Sequence, residues 1–240
     1  MRNADASFPL CDLHSHVLPG IDDGCKTAEE SLRILKDSRS QGIDLLAATP
    51  HYYSEQPVAR FLEKRREALE RVLTLAGDGA ELPELRLGAE VAYHPGLVYE
   101  DRLPELCYEG TRFLLLEMPF AAWSQTVLRD VALISAQYGI TPVIAHLERY
   151  GKLAGKAAIR ELLSMDVLVQ VNAGYILEGR PAFRVKKLLR EHVHLLGSDC
   201  HNLTSRGQNL GAARDRLLAW GMEKELETIR ENSLRLLCEN

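Results

Sequence analysis

Seven short apolar runs alternate with longer amphipathic segments along 240 residues, and most of the runs end on or beside a histidine or a carboxylate. This pattern constrains the fold more than any other feature of the chain. Short runs rich in Val, Ile and Leu suit strands buried on both faces, and helical segments between them imply parallel βαβ units. We read strands over residues 10–16, 44–51, 85–93, 112–118, 141–146, 167–173 and 194–201. Helices are expected from a capping box at Thr27-Ala-Glu-Glu30 to Gln41-Gly42, and over 58–76, 124–138, 159–165, 181–191, 207–220 and 223–238. A short helix is expected near 97–101. The expected fold class is α/β, a single domain over 1–240 that closes, or nearly closes, into a barrel. The same pattern also suits an open sheet. Residues 1–9 are expected to form a flexible N-terminal extension.

No apolar run approaches the roughly 18 residues of a membrane helix, and residues 1–9 lack the apolar core of a secretory signal. Cysteines stand at 11, 25, 107, 200 and 238 without a CxxC pair, which argues against a disulfide scaffold and a zinc ribbon. The net charge of −5 argues against broad nucleic-acid binding. We therefore expect a cytoplasmic protein with no nucleic-acid partner and no membrane insertion; an oligomer is left open.

Five of eight histidines stand at, or just beyond, a strand's C-terminal end: His14, His16, His51, His146 and His201. Acids stand at equivalent places: Asp12, Glu90, Glu117 and Asp199, with Asp22 and Asp23 in the first βα loop. In barrels that end holds the active site. So many buried, mutually repelling groups are costly without cations. In Asp12-Leu-His14-Ser-His16, strand alternation puts Asp12, His14 and His16 on one face. Chance gives about 0.27 H-x-H pairs at this histidine content, on the period-two logic of strands. A second pair, His192 and His194, reads as polar surface residues at a helix–strand junction, and His94 as an exposed loop residue. Ser198-Asp199-Cys-His201 repeats the first pattern, with Cys200 turned the other way.

These donors are nitrogen and carboxylate oxygen, which suits Mn, Fe, Co or Zn rather than a thiolate zinc site. About nine candidate ligands exceed one ion's needs, so a cluster of two or three ions is expected, able to activate water and clamp an in-line displacement. Arg149 and Arg206 follow the fifth and seventh strands and suit bidentate phosphate binding. Cys200 to Arg206 also fits C-x5-R, a thiol-phosphatase pattern. Its five intervening residues contain no glycine, although a loop whose amides cradle phosphate usually needs some.

The run Asp12-Leu-His-Ser-His-Val-Leu-Pro-Gly-Ile-Asp-Asp-Gly24 closely resembles the opening of the bacterial metal-dependent tyrosine phosphatases of capsule and exopolysaccharide biosynthesis (CpsB-like), in the PHP superfamily. The resemblance continues through Gln41-Gly-Ile, Ala48-Thr-Pro-His51, Gly88-Ala-Glu90, Leu115-Leu-Glu117, Ala145-His146, Glu148-Arg-Tyr150, Gln170-Val-Asn172 and Ser198-Asp-Cys-His-Asn202. Three departures stand out: Cys25 and Leu147 each replace a usual proline, and the N-terminus is longer before the first motif. The resemblance implies a distorted (β/α)7 barrel of the PHP fold and a trinuclear site, commonly manganese-activated, with Fe, Co, Zn or Mg as alternatives. It implies His14, His16, Asp23, His51, Glu90, Glu117, His146, Asp199 and His201 as metal ligands. Arg149 and Arg206 follow as phosphate-binding residues, with Asp199 and His201 placed to assist catalysis. The implied substrate is a phosphotyrosine protein, the Tyr-rich tail of a bacterial tyrosine kinase. Two alternatives are another PHP phosphoesterase, such as a histidinol-phosphate phosphatase, and a non-catalytic metal-bound interaction module.

Overall fold

In the computed structural model, which describes residues 10–179 and 181–238, the expected alternation of strand and helix is realised. The expected extension at 1–9 lies outside the described residues. In chain order the elements are β1 Leu10–Ser15, α1 Ala28–Ser40, β2 Ile43–Ala48, β3 His51–Tyr52, α2 Val58–Ala76, β4 Glu84–Leu87 and β5 Glu90–Ala92. They continue with β6 Phe113–Glu117, α3 Gln125–Tyr138, β7 Thr141–Ile144, α4 Lys156–Leu162, β8 Leu168–Asn172 and α5 Ala173–Leu177. The last are α6 Ala182–His192, β9 Leu195–Gly197, α7 Leu210–Ala219 and α8 Glu223–Cys238.

Local chemistry explains most boundaries. The Thr27 side chain accepts from the Glu30 amide at 3.2 Å and starts α1. Ser124 does the same for α3, which Gly139 stops in the left-handed conformation at φ 61°. Two expected strands split in two. Between β2 and β3 stands Pro50, which has no amide to donate, and between β4 and β5 stand Gly88 and Ala89. The pairing continues across both breaks, because the Gly88 amide donates to the Ala48 carbonyl at 2.9 Å and the Glu90 amide to the Pro50 carbonyl at 3.1 Å. The expected helix near 97–101 is a 3-10 turn, Leu97–Tyr99, and α7 begins at Leu210 rather than 207.

All the pairings are parallel, in the orders β1-β2-β4 and β3-β5-β6-β7-β8-β9. The result is an α/β fold with a curled parallel sheet. The first strand also meets the segment after the last: the His16 amide donates to the Cys200 carbonyl, and the Asp199 amide to the His14 carbonyl, both at 2.8 Å. The larger apolar cluster lies between the sheet and its helices. The smaller joins Leu13, Leu45, Ala47, Leu115, Val143 and Leu195, with Leu236 and Leu237 of α8 packed beneath. Each fully buried leucine there contributes roughly 1.5–3 kcal/mol. No helix among the described residues is long and apolar enough to cross a membrane.

One expectation about β1 is corrected. Asp12 does not share a face with His14 and His16. The register with β2 shifts between Asp12 and Ser15, a bulge that adds one residue to β1 and re-aims the side chains beyond it. Asp12 instead accepts from the Ser198 amide at 2.8 Å, the Ser198 hydroxyl at 2.6 Å and Gln208 Nε2 at 2.8 Å. It ties the first strand to the last and to the start of α7. Asp12→Ala strands these buried donors, so urea denaturation should show a loss of about 2–4 kcal/mol. Metal content measured on the folded variant should stay at the wild-type level, since this carboxylate is an anchor and not a ligand.

Candidate metal centre

The imidazoles of His14 and His16 are buried, and each has one ring nitrogen already committed. His14 Nδ1 lies 3.2 Å from Gln170 Oε1, and His16 Nδ1 lies 2.7 Å from Asp22 Oδ2. Gln170 is held in turn by the His146 amide, and Asp22 by the amides of Gly24 and His51. Such outer partners set the tautomer and aim the second nitrogen. Both Nε2 atoms therefore converge, 3.1 Å apart, and each also lies 3.1 Å from Glu90 Oε2.

Other donors surround this point. His51 Nδ1 is 3.2 Å from Glu90 Oε2, and its Nε2 is 3.8 Å from Asp23 Oδ1. His201 Nε2 is 3.3 Å from the same Asp23 oxygen, because its Nδ1 is engaged by the Asp199 carbonyl at 3.0 Å. His146 Nε2 is 2.9 Å from Glu90 Oε1 and 3.5 Å from Glu117 Oε1. Three overlapping groups have the geometry to hold an ion: His16, Asp23, His51 and His201; His14, His16 and Glu90; His51, Glu90 and Glu117. His16, His51 and Glu90 each belong to two of these groups. His146 and Asp199 stand beside these groups rather than within them.

Asp199 takes both arginines. Arg149 Nη2 donates to Oδ2 and Arg206 Nη2 to Oδ1, the latter at 2.8 Å. Asn172 Nδ2 donates to Oδ2 as well, at 2.7 Å. Both guanidinium groups remain over one-third exposed, at 37% and 38%, so they can still reach a ligand. They line a cavity of about 260 Å³ between the ends of β7, β8 and β9. His146 and Asp199 adopt left-handed backbone angles, φ 33° and φ 55°, costly for residues with a Cβ and typical of functional sites. The turn at Asp199 ends β9 early, so its approach to His201 comes from that turn and not from strand alternation.

The electrostatics suit a cation. Burial disfavours a charged imidazole, yet Asp22 and Glu90 push His16 up to about 10, and Glu117 and Glu90 push His146 up to about 9. Burial works against the Glu90 carboxylate, but the His14, His146 and His16 rings hold it well below the usual range. His201 is the exception: burial and the neighbouring His16 pull it down to about 4. His51 Nδ1 and His201 Nε2 are buried with no hydrogen-bond partner although carboxylate oxygens lie close by. A ring nitrogen aimed at oxygens without donating to them is arranged as a ligand. The donor set thus fits borderline or hard divalent ions.

Cys200 does not fit a catalytic thiol. It is buried in the larger apolar cluster, and burial pushes its thiol well above the ordinary value. Asp22 stands in the first βα loop and Gln170 and Asn172 within a motif, but the sequence alone assigns none of the three a role. Gln170 did carry a signal, as a polar residue within the apolar run 167–173.

Protons and metal compete for these rings. His16 and His146 lie above their unfolded value of about 6.5, so the stability they lend is present below that pH and lost as pH rises through 9–10. Thermal denaturation of the chelator-stripped protein should show Tm falling between about pH 7 and pH 10. Over that window Mn²⁺ affinity, followed by calorimetry, should tighten; affinity independent of pH would contradict the ligand role of these rings.

The family model described as capsular polysaccharide synthesis, CpsB/CapC, matches residues 10–237. A tyrosine-protein phosphatase CpsB of Streptococcus agalactiae serotype III (strain NEM316) is 30% identical over 250 residues, covering 95% of this chain and 98% of the relative. The tyrosine-protein phosphatase YwqE of Bacillus subtilis (strain 168) is 27% identical over 212 residues, covering 82% of this chain and 79% of its own. In fold, the chain is similar to a structure from work on YwqE of Bacillus subtilis and CpsB of Streptococcus pneumoniae, described there as metal-dependent tyrosine phosphatases. That match has a TM-score of 0.80 and 23% identity, over 95% of this chain and 94% of the other. A phosphotriesterase homology protein from Escherichia coli aligns at a TM-score of 0.50 with 14% identity, over 96% and 99%. With its match across residues 10–237, this chain belongs to the CpsB/CapC family of capsular polysaccharide synthesis.

Proposed function

We propose that this chain is a metal-dependent protein-tyrosine phosphatase, a phosphoric monoester hydrolase built on a distorted (β/α)7 barrel. The observation that carries this reading is the placement of two arginines on Asp199, directly beside the converging imidazoles and carboxylates. The backbone bonds from β1 to the segment after β9 support the barrel. The names of the CpsB and YwqE relatives support the reaction.

His14, His16, Asp23, His51, Glu90, Glu117, His146, Asp199 and His201 would hold two or three divalent ions, with manganese the first choice. When bound, such ions lower the pKa of water and neutralise phosphoryl oxygens. The chain's own residues do the rest. Arg149 and Arg206 present guanidinium donors to the phosphoryl oxygens as charge develops on them. Asp199 holds both side chains in place before substrate arrives, so little reorganisation is needed. Asn172 keeps the Asp199 carboxylate turned toward them. Asp22 and Gln170 fix the ring orientation of His16 and His14.

The substrate we propose is phosphotyrosine in a protein, on the resemblance above the Tyr-rich tail of a bacterial tyrosine kinase that controls capsule or exopolysaccharide synthesis. A cytoplasmic location suits such a substrate and the buried thiols Cys25, Cys107 and Cys200.

Hydrolysis of p-nitrophenyl phosphate and a phosphotyrosyl peptide tests the reading. Activity should vanish in EDTA, return with Mn²⁺ and be indifferent to Cys200→Ser. Arg206→Ala should retain metal and lower kcat/KM by about 100-fold, the size expected for losing a donor to the developing charge. Activity that survives EDTA and dies with Cys200→Ser would overturn the proposal, and a fully active Arg206→Ala would remove the phosphate-clamp role.

A further inference from the structure

Two large aromatic side chains at the rim of the centre are open to solvent: Tyr53, 45% exposed, and Phe120, 51% exposed. Neither holds the core together. Tyr53 follows β3 directly and stacks on His51, with ring centroids 5.1 Å apart and planes inclined by 26°. Phe120 follows β6 and stacks on His146 at 5.8 Å and 21°, leaning also on Tyr150 at 5.3 Å. Each ring is braced by a histidine of the centre and leaves about half of its surface uncovered.

The sheet places the segments that carry them on either side of β5. β3 and β6 both pair with β5, so the strands carrying the two rings are one strand apart. Two strand spacings amount to roughly 10 Å. A third aromatic ring held between two others at offset-stacked separations of about 4.5–7 Å each requires a gap of that size. Glu90 of β5 and Glu117 at the end of β6 come from the strands at and beside the middle of this gap.

We propose that Tyr53 and Phe120 are the two walls of a slot that takes the phenyl ring of a phosphotyrosyl substrate and so favours aryl over alkyl phosphates. The inference rests on the phosphatase reading and assigns the part of that site that recognises tyrosine. A phenyl ring offers both faces to the walls and buries apolar area on each side. An alkyl phosphate has no such faces and gains little from either wall. Both residues are positioning groups, and neither takes part in a covalent step.

The test compares two constants on the full-length, Mn²⁺-loaded protein: KM for a phosphotyrosyl peptide, and the inhibition constant of inorganic phosphate. Inorganic phosphate uses the metals and arginines but has no ring. Tyr53→Ala and Phe120→Ala should each raise KM relative to the phosphate constant by roughly three- to tenfold, the range for one aromatic pair. Phe120→Tyr, which keeps a ring, should recover most of the loss. Metal content of each variant, measured in parallel, reports whether the centre is intact. A KM that does not move, or that rises in step with the phosphate constant, overturns the slot. A wild-type protein that cleaves no phosphotyrosine at all brings down the phosphatase reading together with this one. A wild-type protein that cleaves it well, with a double alanine variant of unchanged KM, overturns the slot alone.

Discussion

Two imidazole nitrogens and one carboxylate oxygen, mutually 3.1 Å apart and shielded from water, are the constraint around which this molecule is arranged. Electron-rich atoms brought that close in a low-dielectric interior need positive charge among them. Protons can supply some of it, which is why His16 and His146 sit well above the ordinary histidine value. Divalent ions supply it better. An ion there would take several of these atoms at once, the nitrogens of His51 and His201 that have no hydrogen-bond partner among them. The surrounding structure holds these side chains in a crowded arrangement they would not adopt alone.

That enforcement can be followed residue by residue. The bulge in β1 turns His14 and His16 inward and sends Asp12 to the last strand. Glycine at 197 is required by the resulting crowding, since a Cβ there would stand 2.5 Å from the His14 Cβ and 2.8 Å from Gln170 Nε2. Gly24 plays the same part below the first loop, where a Cβ would meet the His16 carbonyl oxygen at 2.3 Å. His146 and Asp199 accept left-handed backbone angles in order to face the centre. Together these local costs pre-organise the site and are offset by the two apolar clusters beneath and around it.

Much of this was legible in the sequence because most of the apolar runs are short and end on or beside a histidine or an acid. The period-two logic identified His14 and His16, and a repeated pattern at 198–201 pointed to Asp199 and His201. It failed at Asp12, because a bulge depends on how β1 registers with β2 and leaves no local mark. It failed again at Asp199, where a left-handed turn rather than alternation sets the side-chain direction. The kinks at Pro50 and Gly88 divide two expected strands without disturbing their order, so the architecture survived the error. The role of Gln170 on His14, 156 residues away, and the stacking of Phe120 on His146 arise from residues far apart in the chain, and those of Asp22 and Tyr53 from loop conformation rather than strand or helix periodicity. Pattern within a single segment cannot reveal them.

Donors shared between overlapping groups would hold a polynuclear metal centre. Anomalous diffraction from crystals grown with Mn²⁺, collected on either side of the manganese absorption edge, tests it most directly. Two or three anomalous peaks should appear inside the cluster. One should lie about 2.0–2.3 Å from the Nε2 atoms of His14 and His16, a bonding distance for a borderline divalent ion on imidazole. Peaks confined to surface carboxylates, with none among His14, His16, His51, Glu90 and His201, would contradict it.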